Sequence, residues 1–321
     1  MTNNPGISII LPTYNRAHLL PRAIQSVLNQ DYQDWELLIW DDGSSDETEQ
    51  VVATYTDERI KYHFDTNHGA AYARNRAVEK ASMDFLAFLD SDDEWKPEKL
   101  TRQVTALNSH PEIDVLFTDF ANIREGEVQV HHTFLDYQKA LQKTKKKQLD
   151  EDLYLIQEGF PASIATDNYI ALDSVMLRRK VFSRAGGFNE TLFNSEDFEF
   201  WWRLALAEYG FGYIDRELLI RHKAAGSLSS NRLPGFINHL RALDLCVEQA
   251  MSSGHPEYTK LLDGQYRNTW QLLMAHYGQQ GDLPAMSSAL RKSLSYGFRP
   301  GTIRLLISSL VTGLRSNRRK A

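Results

Sequence analysis

Residues Phe85–Trp95, FLAFLDSDDEW, decide how the chain is read. A short apolar run rich in Phe and Leu has the character of a buried strand, and it stops in acid, with Asp90, Asp92, Asp93 and Glu94 around Ser91. Carboxylates this close repel one another, so a folded chain keeps them together where water solvates them or a cation neutralises them. Glu94 and Asp93 also suit the first turn of a helix with Pro97 near its start. Asp90 and Asp92 fit that role less well, because Asp-x-Asp at the carboxyl end of a strand can point two hard oxygen ligands at one divalent ion. On local grounds the stretch is a solvated turn or a metal site.

Working outward, the same grammar recurs. Ile7–Leu11 is a β-branched run that breaks at Pro12-Thr13-Tyr14-Asn15-Arg16 before a helical pattern through Leu19, Ile24 and Leu28. Trp35–Trp40 stops at Asp41-Asp42-Gly43 and is followed by a helix capped by Ser45 or Asp46. Ile60–Phe64 is a third strand, and after Asn67-His68-Gly69 a helix carries Ala70, Ala73 and Ala77. A helix from about Pro97 to Ser109 and a strand Val115–Asp119 complete the series. Strands apolar on both faces, alternating with helices, predict an α/β fold with a mostly parallel sheet flanked by helices. Ligands of such sheets bind beyond the carboxyl ends of the strands, where this chain gathers its polar residues.

From Ile123 to Phe160 the sequence turns polar and is expected to form a solvated helix, a flap or a closing lid. Order returns at Ile170–Arg178, Val181–Phe188 and Asn194–Tyr209, the last carrying Ser195-Glu196-Asp197 ahead of FEFWWRLA. Ser195 is expected to cap that helix. After Arg221-His222-Lys223, helical periodicity begins at Pro234 with breaks near Gly254–Pro256, Gly278–Pro284 and Gly297–Pro300. The expected domains are 1–232, with halves 1–120 and 121–232, and a helical extension 233–321.

The chain has 321 residues, 42% apolar and 24% charged, with net charge −6, which gives no reason to expect nucleic acid as a partner. Its single cysteine, Cys246, excludes an intrachain disulfide and a multi-cysteine zinc site. No opening stretch reads as a signal peptide and no run is long enough to span a bilayer, so the expected location is cytoplasmic. Leu283–Ala321 holds eight Lys or Arg and no acid, whereas the preceding residues hold 28 basic against 42 acidic side chains. Ile303, Leu306, Ile307, Leu310 and Leu314 share a helical face, with Arg304, Arg315, Arg318, Arg319 and Lys320 around or after it. This helix is expected either to lie on an anionic membrane at the cytoplasmic face or to dock on the body.

Taken together, SIILPTYNR at Ser8–Arg16, LLIWDDGSSD at Leu37–Asp46, NHGAAYARNRA at Asn67–Ala77, FLDSDD at Phe88–Asp93 and GGFNETLFNSEDFEFWWR at Gly187–Arg203 closely resemble a known family. It is the large family of inverting glycosyltransferases with the GT-A fold, family 2, that includes cellulose, chitin and hyaluronan synthases. The resemblance covers roughly Ile7–Ser230 and not the helical tail. It implies a Rossmann-like nucleotide-diphospho-sugar transferase fold, Mn²⁺ or Mg²⁺ as cofactor, a UDP-sugar donor and a glycan or glycolipid acceptor. Pro12, Thr13, Tyr14 and Asn15 would contact the nucleotide, Tyr14 through its aromatic face. Asp42, or Asp41 in its place, would accept from the imide of uracil, and Arg74 would lie near the diphosphate. Asp90 and Ser91 would hold donor groups and Asp93 the transferred sugar. Asp92, with Asp90 and His222, would bind the metal, which stabilises the departing diphosphate. Asp197 would be the general base, with Glu196 as its alternative or an acceptor contact, and Trp201 and Trp202 would stack on a sugar. Processive members carry Gln-x-x-Arg-Trp and membrane helices; this sequence has neither, so transfer of a single sugar is expected. The non-enzyme alternative is an inactive nucleotide-sugar or carbohydrate-binding module.

Overall fold

The computed structural model of the chain describes residues 5–124, 134–223 and 232–318. These divide into two compact units, Met1–Ile164 with Asn168–Ala225, and Ala165–Asp167 with Gly226–Ala321.

The first unit is built on β1 (Ile7–Thr13), α1 (Leu20–Leu28), β2 (Trp35–Asp41), α2 (Thr48–Ala53), β3 (Ile60–Phe64), α3 (Ala70–Lys80) and β4 (Phe85–Phe88). Next come β5 (Glu94–Trp95), α4 (Lys99–Ser109), β6 (Val115–Arg124), α5 (Lys139–Gln142), β7 (Lys145–Gln148), β8 (Leu153–Glu158) and α6 (Phe160–Thr166), whose last two residues fall in the second unit. The unit closes with β9 (Met176–Arg178), α7 (Arg179–Ala185), α8 (Glu196–Leu206) and β10 (Phe211–Lys223). The strands form one sheet in the order β3-β2-β1-β4-β9-β6-β10-β8-β7, with β5 paired to β10. β1 pairs in parallel with β2 and β4, aligning Ile7 with Trp35 and with Phe85. Every residue of β1, β2 and β4 is buried, as strands covered by helices on both faces require. β9 enters antiparallel to both β4 and β6, so it joins the parallel half to the strands beyond.

The polar stretch after Ile123 is more regular than expected. β6 continues to Arg124, and α5, β7 and β8 follow; residues 125–133 lie outside the described residues. Lys145–Lys147 read as solvated chain because β7 is the outermost strand, where exposed lysines protect a free edge.

The second unit contains α9 (Arg232–Ser252), α10 (Asp263–Gln280), α11 (Leu283–Ser295) and α12 (Pro300–Arg318), with a 3₁₀ segment at Pro256–Leu262. Gly281, in the left-handed region, ends α10, and the Asp282 carboxylate accepts from Ala285 N to start α11. Its core gathers Leu273, Met274, Met286 and Ala289, with Trp270, Leu305 and Leu306 packed against them. Cys246 is fully buried. Among the described residues no helix is long and apolar enough to cross a membrane.

Candidate active site

The ends of β1 and β2 are tied to each other. Asp42 N donates to Thr13 O at 2.9 Å. Asn15, at φ 50°, donates its N–H to Ser44 Oγ at 2.8 Å, and its Oδ1 accepts from Ser45 N at 2.8 Å. Both acids here serve the loops: Asp41 accepts from Ser44 N (2.8 Å) and the Tyr62 hydroxyl (2.6 Å), and Asp42 accepts from His68 N and Gly69 N (2.8 Å each). Gly43 sits at φ 84°, where a Cβ would come within 2.8 Å of Asn67 N, so this turn requires glycine. Pro12 lies inside β1 opposite Trp40. The Thr13 hydroxyl is buried without a partner, and the Tyr14 ring is 48% exposed.

β4 ends at Phe88, so Asp90–Asp93 form a turn, closed by Asp93 N donating to Asp90 O at 3.1 Å. In a turn, residues three apart are brought together, whereas the Asp-x-Asp reading assumed strand alternation. The carboxylates that converge are therefore Asp90, Asp93 and Asp173, one oxygen from each lying within 4.8 Å of the others. Asp92 lies outside this trio, partly exposed, and burial followed by the nearby Asp90 raises its pKa. Ser91 is buried in the turn. His222 also departs from expectation: its Nε2 faces Glu94 Oε1 at 3.0 Å, because β5 pairs with β10 and brings Glu94 beside it. The His222 N–H instead donates to Asp93 Oδ1 at 2.7 Å.

Asp173 lies wholly inside the protein, and neither of its carboxylate oxygens has a hydrogen-bond partner. Arg221 Nε stands 3.2 Å from Asp173 Oδ2 and 3.7 Å from Asp93 Oδ2. Burial, then Asp173, pushes the Asp93 carboxyl well above its usual range; at Asp173 burial is outweighed by Arg221 and the pKa falls. Beneath them Lys99 is fully buried, 4.2 Å above the Trp95 ring and donating to Gln103 at 2.6 Å. Burial pulls its pKa down to about 7. An under-satisfied carboxylate beside two others is a hard-oxygen set that fits Mg²⁺ or Mn²⁺.

α8 supplies the second half of the site. Ser195 stands at its start in the left-handed region, at φ 63°, and makes no side-chain capping bond, contrary to expectation. Glu196 is buried and Asp197 half-buried, leaving Asp197 the more accessible of the two. The Asp197 carboxylate accepts from Phe198 N at 2.7 Å and from Asn168 Nδ2 at 3.4 Å. Burial raises the pKa of both acids, that of Glu196 to about 7. Arg74, 6% exposed, donates to Glu196 Oε1 at 2.6 Å and to Asp90 Oδ1 at 2.7 Å. Burial opposes its charge, but these two carboxylates hold the guanidinium firmly protonated.

Trp201 and Trp202 are both 0% exposed, which rules out sugar stacking. The run FEFWWRLAL is apolar around nearly the whole helix, and such a helix is enclosed by the core. Sequence reading gave no catalytic-site role to Asp173, Asn168, Arg221 or Lys99. The available signal was Asp173 itself, an acid that with Ser174 interrupts the apolar residues of Ile170–Leu177.

Residues 8–164 match the family model "Glycosyl transferase family 2". The Escherichia coli protein WfgD, named as a UDP-Glc:alpha-D-GlcNAc-diphosphoundecaprenol beta-1,3-glucosyltransferase, is 49% identical over 104 residues, 32% of this chain and 40% of its own length. The glycosyltransferase RT0329 of Rickettsia typhi is 24% identical over 99% of both chains. Among solved structures, S. aureus TarS 1-349, crystallised in complex with UDP-GlcNAc, superposes with a TM-score of 0.67 at 20% identity, covering 98% of this chain and 92% of that one. The likeness establishes the GT-A fold expected from the sequence.

Proposed function

Through residues 8–164 the chain belongs to glycosyltransferase family 2, and we propose that it transfers one sugar, with inversion, from a nucleotide sugar to a hydroxyl of a glycan or lipid-linked acceptor. A UDP-sugar is the donor we favour, and cell-envelope polysaccharide or glycolipid synthesis is the setting. The observation that carries this reading is the reach of Arg74. One guanidinium joins Asp90, on the acidic turn after β4, to Glu196, beside Asp197 on α8. This link supports the reading in which Asp90 holds the donor and Asp197 accepts a proton within one site.

In this reading Tyr14 and the unpartnered Thr13 hydroxyl meet the nucleoside, alongside the loops held by Asn15, Asp41 and Asp42. Asp90, Asp93 and Asp173 would hold Mn²⁺ or Mg²⁺, with Asp92 beside them. Bound there, the ion would supply Lewis-acid stabilisation of the nucleoside diphosphate as its charge grows. Asp197 takes the proton from the acceptor hydroxyl as that oxygen attacks the sugar carbon on the face opposite the leaving group. Arg74 keeps Glu196 and Asp90 in place while this happens. The names of WfgD and TarS support a UDP-sugar donor, and that of WfgD a diphospholipid-linked acceptor.

The test is release of nucleoside diphosphate from UDP-Glc, UDP-GlcNAc and GDP-Man, with and without Mn²⁺, by the intact protein and by Asp197→Asn. The proposal expects release by the intact protein and a loss of about 10²–10⁴-fold in Asp197→Asn, with the ligand-induced rise in melting temperature retained. A melting shift without release from any donor would instead mark a binding module.

A further inference from the structure

The end of the second unit exposes large apolar side chains among cations. Leu294 and Phe298 are 42% and 60% exposed, and Ile303 and Ile307, one helical turn apart on α12, are 52% and 56% exposed. The expected single apolar face of α12 divides in two. Leu305 and Leu306 pack into the core of the second unit, and Thr302 and Ser309 are buried with them. Gln271 donates to the Thr302 hydroxyl at 2.7 Å, fixing that side of the helix. Ile303 and Ile307 are thereby turned outward. The side chains of Leu310, Leu314, Arg315 and Arg318, and all of Arg319 and Lys320, lie outside the described residues.

Charge identifies what covers this surface. Arg291, Lys292, Arg299 and Arg304 are exposed around it, and the sequence from Leu283 onward has no acid to offset them. Arg267 reaches the same turn, donating to Tyr296 O at 2.8 Å. Its pKa is lowered, first by burial and then by the like charge of Arg299. Two guanidiniums held together would gain from an anion between them. A second copy docking through the same face would bring the same cations to the interface and be repelled. A nucleic-acid strand would use the charges and leave Leu294, Ile303 and Ile307 without a role.

We infer that Leu294, Phe298, Ile303 and Ile307, with Arg299 and Arg304, form a docking surface for a bilayer containing anionic phospholipid. The apolar side chains enter the boundary between headgroups and acyl chains, and the guanidiniums meet lipid phosphates. The inference extends the lipid-linked-acceptor reading above and rests on it for its purpose, though not for its physics.

Co-sedimentation of the full chain with vesicles of phosphatidylcholine alone, and of phosphatidylcholine mixed with phosphatidylglycerol, tests it. The wild type is expected to sediment with the anionic vesicles, less so as salt is raised. Arg299→Gln with Arg304→Gln should weaken partitioning about fivefold per charge removed. The triple variant Phe298→Ser, Ile303→Ser, Ile307→Ser should abolish it; all three positions are exposed, and an unchanged circular dichroism melt would confirm folding. Absence of wild-type binding, or equal binding by both variants, would overturn the inference. So would a concentration-dependent dimer in sedimentation velocity that the triple variant abolishes, since the occupant would then be a second copy. Melting shifts with nucleoside diphosphate separate the two proposals. A retained shift without vesicle binding sinks the surface alone, and vesicle binding without any shift sinks the donor site alone.

Discussion

Asp197 and Glu196 are neighbours in sequence with different surroundings, and the proposed division of roles between them rests on that difference. Glu196 is buried and bound to Arg74, whereas Asp197 is half-buried and held by Phe198 N and Asn168. A general base acts in its deprotonated form, and burial raises the pKa of Asp197 above the ordinary aspartate value, with Glu196 brought to about 7. Protonation from below therefore removes activity. We predict that kcat/KM rises with pH through an apparent pKa above the usual carboxylate range of about 4, a value belonging to the interacting pair. A pH–rate profile governed by an unshifted aspartate would remove Asp197 from this role. The residues at the strand ends were readable in the sequence as motifs, but the partners of each acid were not. Asp42 and Asn15 look like ligand contacts as letters, and only three-dimensional proximity shows them bracing the loops after β1 and β2.

At the scale of elements, α8 does two jobs. Its start carries the acids, and its body anchors them by burying Phe198, Phe200, Trp201 and Trp202. Arg203, paired with Glu199 at 2.7 Å, donates to Gly187 O at 2.5 Å and to Ala185 O, so the helix also holds the Gly186–Gly187 turn. Asn75 of α3 grips the other side, accepting from Phe188 N and donating to Phe188 O, both at 2.9 Å. Trp202→Ala should cost about 3–5 kcal/mol of stability, measured by urea unfolding. An unchanged urea midpoint would contradict this account of the helix. The elements of the parallel half were legible because β1, β2 and β4 are short apolar runs. Those of the second half were not. β9 is three residues long, β10 alternates with charges, and β7 is nearly all lysine; such strands owe their existence to pairing partners distant in sequence.

Across the first unit, the sheet order sets the site. β1, β2 and β4 lie side by side with parallel ends, and β9 and β10 return from far along the chain to bring Asp173 and Arg221 against the turn after β4. That long-range return is why the acid trio could not be read from the Asp-x-Asp spacing alone. The account's central claim is that these acids and the ends of β1 and β2 form one cation-assisted site for a nucleoside diphosphate. Isothermal titration of UDP into the intact protein, with and without Mn²⁺, and into Asp93→Asn and Asp173→Asn, tests it most directly. The account predicts binding that Mn²⁺ strengthens in the wild type, with the Mn²⁺ effect lost in both variants while their folds persist. UDP affinity unaffected by Mn²⁺, or a Mn²⁺ effect that survives both substitutions, would contradict it.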